Sequence, residues 1–137
     1  MRPLALYFFG VVAMVLTQGN ASHAQSVSPL TSAIVESVSS PLGGYELINR
    51  NWGGTSKDHG GKLTIVTVHM GQHSWYQAFI GKSVLKEVKR ELFRRGNQIG
   101  YRITWSFNAP NRFTGLFLFQ VGKNDGSRTL EARCTIQ

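Results

Sequence analysis

The chain has a single cysteine in 137 residues. Cys134 has no second thiol to meet within the chain. An intramolecular disulfide framework is therefore excluded, and so are the paired-cysteine motifs of zinc ribbons and thioredoxin-like redox sites. Cys134 alternates with Leu130, Ala132 and Ile136, which predicts a small buried hydrophobe. Acidic residues are also scarce: seven Asp and Glu stand against fifteen Lys and Arg, for a formal charge of +8. Long apolar runs are missing too. The one candidate, Leu4 to Leu16, falls short of the ~20 residues that span a bilayer. The sequence contains no internal repeat.

That short apolar run follows the basic Arg2 and precedes small and polar residues, with Ser22 and Ala24 placed for cleavage before Gln25. Residues 1–24 are thus predicted to be an export signal, and the protein to act in the periplasm or outside the cell. Arg2 is the only charged residue removed, so the mature chain keeps a charge of +7. An exported protein this basic is suited to an anionic partner such as an envelope polysaccharide, lipid headgroups, nucleic acid or an acidic protein.

Residues 25–43 are rich in Ser, with two prolines, and read as a tether or a short helix over Ser32 to Val38. Residues 44–137 read as a single α+β domain. Its predicted strands are Tyr45–Asn51, Lys62–Met70, Trp75–Ile80, Tyr101–Phe107, Phe113–Val121 and Arg128–Ile136. The glycine-rich stretch between Asn51 and Gly61 cannot hold regular structure. Between Ile80 and Tyr101 the spacing predicts an amphipathic helix. Ser83 fits the N-cap, Val84, Leu85, Val88 and Leu92 fall on one arc, and Gly96 sits at the C′ position. The order β-β-β-α-β-β-β implies a mainly antiparallel sheet packed on one helix, compatible with a partly closed barrel.

This order of elements looks like the oligonucleotide/oligosaccharide-binding barrel of secreted toxin B subunits, over residues 44–122. Those barrels usually carry disulfides, which this chain cannot form. The likeness is one of architecture, and architecture alone does not carry function.

Two groups of side chains bear on binding. Lys86, Arg90 and Arg94, four apart, would form one basic ridge on the predicted helix, with Arg102 on the outer strand face beside it. Trp52 flanks the glycine loop and Trp75-Tyr76 follow the HMGQH turn, where aromatic rings suit stacking on sugars or bases. His69 and His73, with Asp58-His59, are the closest approach to a metal-ligand set. The 69–73 spacing spans a strand end and its turn rather than a helix face, so no metal and no cofactor is predicted. These features together predict a small non-catalytic binding module for an anionic or carbohydrate-containing partner. The alternatives are a small hydrolase using His69 or His73 with a carboxylate, and a protein-docking accessory subunit or inhibitor, with an oligomer compatible with any of them.

Overall fold

The structure is a computed structural model and describes residues 28–137; the predicted export signal lies outside the described residues. Ten strands build two five-stranded sheets. In chain order they are β1 (Ser32–Ser40), β2 (Gly44–Arg50), β3 (Trp52–Gly54), β4 (Lys62–Met70), β5 (Trp75–Ile80), β6 (Ser83–Val84), β7 (Lys86–Arg95), β8 (Gln98–Asn108), β9 (Gly115–Gly122) and β10 (Thr129–Ile136). The first sheet runs β2-β1-β4-β8-β7 and the second β3-β10-β9-β5-β6. All pairings are antiparallel except the short β3, which lies parallel to β10.

No helix occurs among the described residues, so the expected α+β fold is corrected to all-β and the helix over residues 83–95 to strands β6 and β7. The physical reason is that a spacing of four is degenerate. Residues i and i+4 share a face on a helix and equally on a strand. The expected core stripe buries only Leu85, at the crossover between the sheets, while Val84, Val88 and Leu92 are 70, 60 and 59 % exposed. Gly96 does adopt the left-handed conformation expected of a C′ residue (φ 62°), but for a different purpose. Arg95 pairs with Gln98, so Gly96-Asn97 is a two-residue hairpin loop, and glycine at its first position is the type II′ signature.

The Ser-rich stretch expected as a tether or short helix is also a strand. Ser32–Ser40 forms β1, paired on both sides by β2 and β4. Its Val35 and Val38 are fully buried, because a register shift between Val35 and Ser37 lets both reach the interior. The partly closed barrel is replaced by a sandwich whose inner faces meet in one core. Leu63, Ile65, Ile103 and Trp105 come from the first sheet; Ile80, Phe117, Phe119, Val121 and Ile136 come from the second. Trp105 satisfies its indole by donating to Thr67 Oγ1 at 2.9 Å. Cys134 is buried in the same core, and burial pushes its thiol pKa up to about 11, as suits an unreactive packing residue. No helix among the described residues is long and apolar enough to cross a membrane.

Candidate functional site

The β7–β8 hairpin carries the highest density of charge. β7 holds Lys86, Lys89, Arg90, Arg94 and Arg95 against Glu87 and Glu91, and its far edge pairs with no other strand among the described residues. Strand geometry sorts these side chains in a way helical spacing cannot. Lys86 lies opposite Ser106, which faces outward, and Glu87 opposite the buried Trp105. A bulge at Val88 then resets the alternation, so that Lys89 opposes Thr104 and Arg90 opposes the buried Ile103. Arg90, Leu92 and Arg94 therefore share the inner face with Ile99, Tyr101 and Ile103. The expected ridge is split: Arg90 and Arg94 stay together, and Lys86 is turned to the opposite face.

On that inner face the hairpin meets the second sheet at Tyr76. The Tyr76 hydroxyl donates to Glu87 Oε1 at 2.7 Å and accepts from Arg90 Nη1 at 3.0 Å. Burial, and then the hydrogen bond to Glu87, push the Tyr76 pKa up to about 12, so the phenol stays protonated. Beyond Tyr76, toward the hairpin tip, Leu92 and Arg94 remain exposed beside the partly exposed Ile99 and Tyr101. The result is a shelf with an aromatic and aliphatic floor and two guanidinium groups along its rim.

The two histidines of HMGQH form the back of this shelf. His69 Nε2 and His73 Nδ1 are 2.9 Å apart. His69 is fully buried, stacked on Tyr101 with ring centroids 5.1 Å apart, and its Nδ1 has no hydrogen-bond partner. An unpaired lone pair costs less than an unpaired N–H, so the favoured tautomer has His69 donating from Nε2 to His73 Nδ1. Burial, with His73 beside it, pulls the His69 pKa down to about 3. Burial and the nearby Arg90 cation also lower that of His73. Both rings are neutral at physiological pH. His73 sits edge-on to Tyr76 and to Tyr101, at 4.8 and 4.6 Å between centroids, and holds the two tyrosines apart.

The remaining residues nominated from the sequence lie elsewhere. Trp75 precedes Tyr76 by one residue and so points to the opposite face of β5, where its ring covers Gly122. Trp52 is exposed on the short edge strand β3, with the Arg133 guanidinium 5.5 Å over its ring, at an open groove of about 480 Å³. Arg102 faces outward. It is held by two hydrogen bonds to Glu36, at 2.8 and 2.9 Å, which raise its pKa and pair its charge. His59 and Asp58 are at the other end of the molecule. Asp58 pairs with Arg112 at 3.0 Å, and His59 bonds to Glu46 and Ser40. No cluster of three or more His, Cys, Asp or Glu side chains suited to a metal occurs among the described residues. Tyr101 and Glu87 join the site without having been nominated from the sequence. Tyr101 is legible from its alternation with Ile103 and Trp105; the role of Glu87 depends on the bulge and is not.

Fold and shelf together define an all-β sandwich with a cationic, aromatic-floored edge. Residues 25–136 match the family described as a domain of unknown function, DUF4879, and the chain belongs to that family. No curated protein matches the chain.

Proposed function

We propose that the protein is a small exported binding module that takes an anionic polymer, an acidic glycan in the first instance, on the inner face of the β7–β8 hairpin. One observation carries this reading. Arg90 and Arg94, both exposed, rim a floor of Leu92, Tyr101 and Tyr76, and the second sheet leaves the hairpin tip uncovered. Guanidinium groups supply bidentate contacts to sulfate, phosphate or carboxylate. The flat rings beside them supply stacking for sugars. The neutral His69–His73 pair positions those rings without adding charge.

The alternative of a hydrolase built on His69 or His73 gains no support from the geometry. His69 and His73 bond to each other, and Glu87 bonds to Tyr76 rather than to either imidazole, so neither ring is paired with a carboxylate. The alternative of a protein-docking edge rests on the free side of β7. The bulge and the five cations there are the devices that protect an edge strand from pairing, and they speak against strand addition.

Titration with heparin, as a sulfated glycan, over a range of salt concentrations tests the proposal. The R90Q/R94Q variant should bind more weakly, with a log affinity against log salt slope shallower by about two, one for each guanidinium–anion pairing removed. Lys86→Gln, on the opposite face, should keep a slope close to that of the unaltered protein. Equal slopes for all three proteins, or a larger effect from Lys86→Gln, would overturn the assignment of this face.

A further inference from the structure

A second constellation stands at the other end of the first sheet. β1 pairs its Ser32 end with Met70, near the shelf, and its Ser39 with Thr64 at the far end of β4. There Ser40 closes β1, Glu46 lies in β2, and His59 comes from the loop between β3 and β4. Ser40 Oγ is 2.7 Å from His59 Nδ1, and His59 Nε2 is 2.5 Å from Glu46 Oε2. The imidazole is buried.

The direction of each hydrogen bond follows from the carboxylate. Burial opposes ionisation of Glu46. Donors outweigh it: the Ser56 hydroxyl at 2.6 Å, the Ser56 N–H at 2.9 Å, His59, and the Lys57 N–H at 3.3 Å bring its pKa down to about 2. An ionised acceptor requires the His59 proton on Nε2. In the neutral imidazole Nδ1 is then the acceptor, and the Ser40 hydroxyl donates to it. The Gly43 N–H donates to Ser40 Oγ at 2.8 Å and orients it further. Gly43 is needed for this closure, because a Cβ there would come within 2.7 Å of His59 Nδ1. A serine hydroxyl bonded to a histidine whose other nitrogen is fixed by a carboxylate is the arrangement that activates a nucleophile.

We propose that Ser40, His59 and Glu46 form an acyl-transfer site for carboxylic esters, separate from the glycan-binding shelf and independent of it. Ser40 is partly exposed, in a turn whose Pro41, Leu42 and Gly44 reach solvent. No atom lies within 4 Å of where a Gly44 side chain would begin. Leu42, two residues beyond Ser40 in the same turn and 68 % exposed, offers an apolar contact for an acyl chain. Ser40 Oγ attacks the ester carbonyl carbon while its proton passes to His59 Nδ1. Collapse of the adduct breaks the bond to the leaving alkoxide, which takes that proton. Water then attacks the acyl-serine, giving its proton to His59, and Ser40 is released with its proton restored. Glu46 is a positioning residue throughout: it fixes the tautomer and stabilises the imidazolium.

A fluorophosphonate reagent reports the nucleophile directly, because the serine oxygen–phosphorus bond forms as fluoride leaves. Intact-mass measurement on the purified protein should show one adduct, and peptide mapping should place it on Ser40. R90Q/R94Q, altered only at the shelf, should be labelled to the same extent, which separates this proposal from the binding one. Ser40→Ala should lose the label and lower the hydrolysis of p-nitrophenyl butyrate by roughly 100-fold or more. Absence of any adduct at saturating reagent, an adduct mapped to other residues, or equal butyrate hydrolysis by folded Ser40→Ala would overturn it. The mapping is made on the unaltered protein and stands even where the alanine variant fails to fold.

Discussion

Phe119→Ala is expected to cost about 3–5 kcal/mol of stability, and Leu92→Ala less than about 0.5 kcal/mol. Phe119 is fully buried between the sheets, with its ring 5.7 Å from His69 and 6.1 Å from Trp105. Removing it leaves a cavity that a sandwich pinned by two hydrogen-bonded sheets cannot collapse to fill. Leu92 is 59 % exposed on an edge strand, so truncation deletes little buried surface. Denaturant unfolding of both variants beside the unaltered protein makes the comparison. Equal losses would mean that the segment around Leu92 is packed as a helical stripe against the core, and the sandwich would be wrong.

The contrast between these two positions marks where the sequence is legible and where it is not. Lys62–Met70 and Trp75–Ile80 can be read with their observed bounds, because short runs of β-branched, aromatic and apolar residues set between glycine-containing turns leave a strand no competitor. Residues 83–95 mislead because lysines, arginines and glutamates favour helix by propensity. Their spacing of four also fits either structure, and the feature that decides between them lies outside the segment, in the Gly96-Asn97 hairpin that ties it to β8. β1 is hidden by its serines, Ser32, Ser37, Ser39 and Ser40, which mask a strand paired on both sides. At the site, Tyr76 and Arg90 are each nominated by the sequence and do meet, but a one-residue bulge carries Lys86 away, and no periodicity announces a bulge. The Ser40–His59–Glu46 chain is beyond reach in another sense. Its members come from a strand end, a second strand and a glycine loop, and only the folded loop makes them neighbours.

Acidification from pH 7 to pH 5 is expected to cost the fold about 2 kcal/mol through His69 alone, more once His73 is added. In the native protein His69 is neutral, with its pKa held at about 3 by burial and by His73. In the unfolded chain it titrates near the ordinary value of about 6.5. Between these values the unfolded state binds the extra proton, so stability falls as pH drops below about 6.5 and the loss from this residue levels off near pH 3. Glu46, held at about 2, begins to add its own loss only as pH falls through the ordinary carboxylate value of about 4.3, so the window from 6.5 to 5 belongs to His69 and His73. His69→Phe keeps a ring between Tyr101 and Phe119 and removes the unpartnered Nδ1. That variant should unfold at pH 7 with a stability close to that of the unaltered protein and lose distinctly less of it at pH 5. Urea unfolding of both proteins at pH 7, 6 and 5 measures the difference. Parallel losses would show that His69 gains no proton on unfolding, and that the buried pair behind the shelf is not the neutral one described.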